Sequence, residues 1–162
     1  MNHNRKLGGF AAAIVATAIG MPIAAHHSFS IFDASQTKTF TGVVTRVNPD
    51  ANHLQIFFAP MNEERKNVER GANGKPVVWA VEMAGSAASA QSGISVSSFS
   101  AGTIFTVSLH PLRSGEPAGA REGVLYKCPA KTPPAAGKHC DSVEGNLRIG
   151  GDDGVPPRPA QN

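Results

Sequence analysis

The chain has 162 residues, 15 Lys+Arg against 12 Asp+Glu, a net charge of +3 and 41% apolar residues. That length allows one domain with a core and leaves little room for a second. Without Arg5 and Lys6, which belong to the leader described next, the balance is 13 against 12, or +1, which argues against the concentrated basic face of a nucleic-acid binder.

Arg5 and Lys6 open the chain as a short positive region, and residues 7–19 are apolar or small without a charge. Met21-Pro22-Ile23-Ala24-Ala25 then supplies a helix breaker and small residues before His26. That order is the secretory signal-peptide pattern, and the apolar run falls short of the about 20 residues a membrane span needs. The expectation is cleavage after Ala25, with a cut after Ala24 as the competitor. Residues 26–149 would form a domain in the periplasm or outside the cell, with no membrane span after cleavage.

Thr39, Phe40 and Thr41 open the first predicted strand, over 39–47, with Val43, Thr45 and Val47 on one face and Val44 and Arg46 on the other. Asn48-Pro49-Asp50-Ala51-Asn52 is a turn by composition. A second strand follows over 53–59, with Leu54, Ile56 and Phe58 alternating against His53, Gln55 and Phe57. Residues 60–76 read as a polar connection, with a helical turn over 63–68. The third strand, 77–83, puts Val77, Trp79, Val81 and Met83 on one face and Glu82 on the other. A short helix is predicted over 87–91, whereas residues 94–99 are too serine-rich to assign. The fourth strand, 103–110, carries Phe105, Val107 and Leu109 on one face and ends at Pro111, which has no amide to donate. A fifth strand is predicted over 122–126, a further short one over 146–149, and a disordered tail over 150–162.

Five strands with a short helix between the third and fourth predict an all-β fold, a small five-stranded OB-like barrel. A small β-sandwich is the alternative. Cys128 and Cys140 are the only cysteines. In an oxidising compartment they predict a disulfide, closing a loop rich in Pro, Ala and Gly and contributing about 3 kcal/mol in the chain-entropy view.

The histidines carry the sharpest chemistry. Cleavage after Ala25 makes His26 the first residue, so its ring nitrogen and the new α-amine can chelate one metal ion. Copper suits that donor set, because imidazole and amine nitrogens favour tetragonal Cu(II), and their protons are displaceable near neutral pH. Cleavage after Ala24 instead makes His27 the third residue, which also suits Cu(II). The predicted metal ligands are His26 with one of His27, His53 or His110; His139, beside Cys140, is the weakest candidate. The alternative is a metal-free module holding a peptide, a glycan or an envelope protein, with Trp79, Glu82 and Arg113 as ligand-binding candidates and Phe57 beside them. Arg113 follows His110-Pro111-Leu112 and offers a fork for a carboxylate or phosphate. No GxSxG elbow, HExxH pair, phosphate loop or dinucleotide fingerprint is present, and Glu82, Glu116 and Glu122 show no glycosidase spacing. No enzyme is predicted.

Ala25-His26-His27-Ser28-Phe29, Phe32-Asp33, Phe40-Thr41-Gly42-Val43-Val44, Trp79-Ala80-Val81-Glu82 and His110-Pro111-Leu112-Arg113 together resemble a family of small exported bacterial proteins known only as a domain of unknown function. The resemblance spans residues 25–115 and implies an exported β-rich domain with no established activity. The chain departs from the family pattern at the turn, where Asn48-Pro49 and His53 are separated by three residues, and in the segment carrying Cys128 and Cys140, which reads as an insertion.

Overall fold

The computed structural model describes residues 29–50, 52–130 and 132–151. The expected leader, His26, His27 and nearly all of the expected tail lie outside the described residues. Among the described residues six strands form one sheet: β1 (Lys38–Pro49), β2 (Leu54–Pro60), β3 (Trp79–Glu82), β4 (Ile104–Pro111), β5 (Ala118–Lys127) and β6 (Leu147–Ile149), with one α-helix, α1 (Ser86–Gln91), between β3 and β4. β1 pairs with β2 and β4, β2 with β3, and β4 with β5, all antiparallel. A parallel pairing of Ala80–Glu82 with Ala118–Ala120 joins β3 to β5 and closes the barrel. The sheet therefore closes on itself as a five-stranded OB-like barrel, and the sandwich alternative is set aside. The late part of β5 carries β6.

The interior is filled by the alternation read in β2 and β4: Leu54, Ile56 and Phe58 from one, Phe105, Val107 and Leu109 from the other. Phe105 meets Phe58 and Phe99 edge to face at 5.4 and 5.5 Å. Each such side chain stabilises the fold by about 1.5–3 kcal/mol through burial. Ile94 and Phe99, in the serine-rich stretch left unassigned, are both fully buried. Ser95 and Ser98 hold that stretch in a hydrogen-bonded turn, so Ile94 and Phe99 cap the barrel without a helix or strand around them, while Val96 stays exposed.

Four local expectations change. In β1 the register slips between Val44, opposite Phe58, and Arg46, opposite Phe57. Thr45 is the extra residue, and its hydroxyl donates to the Phe57 carbonyl. A bulge inverts the inside–outside alternation beyond it, so Val44 and Val47 face the core while Val43 lies on the other face. Residues 63–68 form no helical turn: Arg65 has φ 56°, and Asn62 accepts the amides of Lys66 and Asn67 through its side chain. β3 is shorter than predicted, because the Val77 amide donates to the Glu69 carbonyl in the preceding loop. β5 begins four residues earlier than predicted, at Ala118. Its small residues hid it, yet Gly119 must be small: a Cβ there would strike the His110 carbonyl and Leu109.

Cys128 and Cys140 are bonded. The loop they close straps the outside of β1 and β4 and buries Thr41 and Thr106 there. The Cys140 amide donates to Thr106 Oγ1 at 2.9 Å, Thr106 and Thr41 hydroxyls meet at 2.7 Å, and Thr41 Oγ1 meets His139 Nδ1 at 2.8 Å. One orientation satisfies every group: each hydroxyl donates onward and neutral His139 accepts.

Candidate functional site

The register sorts the loops into two ends. The starts of β1, β3 and β5 and the ends of β2 and β4 share one end, since Lys38 lies opposite Leu109, Phe58 opposite Trp79 and Pro111 opposite Gly119. The start of β2 and the end of β3 lie at the other. His110 therefore sits at the first end and His53 at the second, and the two cannot share one ion. Among the described residues no group of three or more His, Cys, Asp or Glu is clustered for a metal.

The lead-in segment is held to the first end. The Asp33 amide donates to the Pro111 carbonyl at 2.8 Å, the Arg113 amide to Ile31 at 2.9 Å, and Arg113 Nε to Ser30 at 3.0 Å. Phe32 bridges Leu112. The chain that follows His26 and His27 in sequence thus meets the barrel beside His110.

His110 Nδ1 lies 2.9 Å from the Gln36 carbonyl. A carbonyl only accepts, so Nδ1 carries the proton and Nε2 keeps its lone pair in the neutral ring. Nε2 stands 4.0 Å from Glu122 Oε1, beyond hydrogen-bond range. The Thr37 hydroxyl donates to the other carboxylate oxygen at 2.8 Å and orients it. At the second end, His53 Nδ1 contacts Glu82 Oε1 directly at 3.1 Å. Glu82 is therefore the partner of His53 and does not share a site with Trp79 or Arg113.

Trp79 and Arg113 do come together. They line a cleft of about 190 Å³ at the first end, with Lys38, Asp33, Gln36 and Glu116. Phe40 packs on the indole at 4.6 Å and the Lys38 ammonium lies 5.2 Å from it. Arg113 Nη1 stands 3.7 Å from Asp33 Oδ1. Hydrogen bonds from the Ser35 side chain and amide, with smaller help from Gln36 and Arg113, hold the Asp33 carboxyl below its ordinary value. Phe57 lies elsewhere, on the outer face with the Arg46 guanidinium stacked 3.4 Å from its ring. His139 is tied into the strap, where desolvation and the charge of Arg65 lower its pKa against the opposing pull of Asp141.

Glu122, Lys38, Gln36 and Asp33 were not selected as site residues from the sequence. Asp33 had a signal in the Phe32-Asp33 motif. The other three are marked by no spacing: Lys38 and Glu122 reach the site through strand register, and Gln36 through the turn before β1.

No helix among the described residues is long and apolar enough to cross a membrane. Neither any curated protein nor any solved structure matches the chain. A family model described as a family of unknown function (DUF6152) matches residues 13–121. The match takes in His53, Trp79, Glu82, His110 and Arg113 and stops before the disulfide strap and β6. As it covers more than half of the 162 residues, the protein belongs to the DUF6152 family.

Proposed function

We propose that this barrel is an exported binding module that takes one Cu(II) ion at a processed histidine terminus. The donors are the α-amine and ring of His26, His110 Nε2 and the Glu122 carboxylate. The observation that carries this reading is the state of His110. Its Nδ1–H is committed to the Gln36 carbonyl, the usual outer partner of a metal-binding histidine, and its Nε2 faces a carboxylate that Thr37 orients. A nitrogen and an oxygen 4.0 Å apart are too far for a hydrogen bond, and an approach of about 1 Å brings them to the separation of neighbouring ligands on one ion, each about 2 Å from it. The lead-in segment supports the reading too, because it runs from the expected cleavage site to this end. His53 drops out of the ligand set, being at the opposite end and already paired.

Calorimetry on the protein beginning at His26 tests this. One tight copper equivalent is expected, and one extra residue before His26 removes most of the affinity. Equal binding by both forms ends the proposal. Intact mass of the exported protein fixes the terminus independently.

A further inference from the structure

We propose that the cleft between Lys38, Trp79 and Arg113 binds a small monocarboxylate with a flat apolar body, independently of any metal. Its volume, about 190 Å³, lies below the about 300–1,000 Å³ of pockets for larger ligands, so the occupant is of single-ring size. Trp79 is half-buried and braced from behind by Phe40, which makes it a fixed apolar wall. Pro111 and Leu112 supply further apolar surface.

The charges then select the ligand. Two carboxylates line the cleft, but both are already engaged. Asp33 Oδ1 accepts the amide and hydroxyl of Ser35, Oδ2 accepts the Gln36 amide, and Glu116 accepts the Ser114 hydroxyl. The cations are less committed. Among the described residues the Lys38 ammonium has no hydrogen-bond acceptor and rests only near the indole. Arg113 donates Nε to Ser30 and holds Asp33 loosely at 3.7 Å, which leaves Nη2 for a ligand. A carboxylate placed between the two cations gains charge-assisted hydrogen bonds while its ring lies on Trp79. A dianionic phosphate would double its attraction to the two cations and its repulsion from Asp33 and Glu116 alike, but it costs more to strip of water, so the cleft favours the monoanion.

Trp79 is the only tryptophan, so fluorescence of the whole protein reads this cleft directly. The titrants are phenylacetate, its neutral relative 2-phenylethanol, and phenyl phosphate, each with chelator present so that the copper reading plays no part. Phenylacetate should saturate the signal near about 1 mM, as expected for a ligand of this size. The alcohol and the phosphate should bind at least about ten-fold more weakly. Lys38→Gln and Arg113→Gln should each weaken phenylacetate about ten-fold. Lys38 makes no contact that holds the lead-in segment, so its variant separates binding from folding, and melting curves check both. No saturable signal, an alcohol as tight as the acid, a tighter phosphate, or unchanged binding in the double variant would each overturn the proposal.

Discussion

The barrel carries a histidine–carboxylate pair at each end, and the two are built differently. His53 and Glu82 touch at 3.1 Å, so each satisfies the other. His110 and Glu122 stand 4.0 Å apart, each held by a third group: the Gln36 carbonyl for the ring, the Thr37 hydroxyl for the carboxylate. In the first pair the facing atoms are already joined to each other. In the second, the fold fixes their directions and leaves donor atoms facing each other across a gap. Residue type alone does not separate the two arrangements; the distance between the facing atoms and the third groups that hold them do.

The largest way to break this contrast is Gly119→Ala. A Cβ at 119 meets the backbone carbonyl of His110, which cannot move without opening the β4–β5 ladder. Overpacking of this kind costs up to about 3 kcal/mol, and a melting curve should show it, with copper binding by the processed protein weakened as well. A variant with parental melting would mean that β4 and β5 approach less closely than described. Next in size, His110→Ala removes a proposed ligand and should reduce copper affinity of the processed chain by at least the about 10–100-fold that loss of an outer partner costs, while His53→Ala leaves it unchanged. Comparable losses in the two variants would erase the functional difference between the ends.

Smaller still, Glu82→Gln should cost about 0.5–1 kcal/mol by removing the charge from a half-buried hydrogen bond. Glu122→Gln, at a more exposed and looser pair, should leave the melting temperature nearly unchanged. The reverse ranking in denaturant titrations would mean that the wrong pair has been read as structural. The smallest effect is in pH. Desolvation holds His139 below the ordinary histidine value of 6.5 in the folded protein. Below about that pH the unfolded chain takes up a proton that the folded chain resists. Stability should therefore fall as pH drops from 6.5 toward the folded-state value and stay flat above it. His139→Asn keeps an acceptor for Thr41 and should flatten this slope; a slope that survives in it belongs to other groups, Asp33 acting at still lower pH.

Some of this was readable in advance. Leu54, Ile56 and Phe58, and Phe105, Val107 and Leu109, alternate cleanly because each strand has one face in the core. The order of five strands and a helix pointed to the barrel, and two cysteines were enough to suggest the strap. Other features left no periodic mark. The Thr45 bulge inverts a pattern by inserting one residue, and Ala118-Gly119-Ala120 looks like a loop until the crowding at His110 is known. At the candidate site, His110-Pro111-Leu112-Arg113 was visible as a contiguous motif, whereas Glu122, Gln36 and Lys38 were not.

Local sequence determined most of the extended segments, the apolar faces of β2 and β4 and that Cys128 and Cys140 can join, since these follow from side-chain period, turn chemistry and the count of thiols. Closure of the barrel decided the rest. It set His53 and His110 at opposite ends, brought Lys38 and Arg113 to the edge of Trp79, and placed Glu122 across from His110. Those relations depend on strand register between residues as far apart in sequence as Lys38 and Leu109, and register is an outcome of packing the whole sheet at once, with no trace in any single stretch of chain.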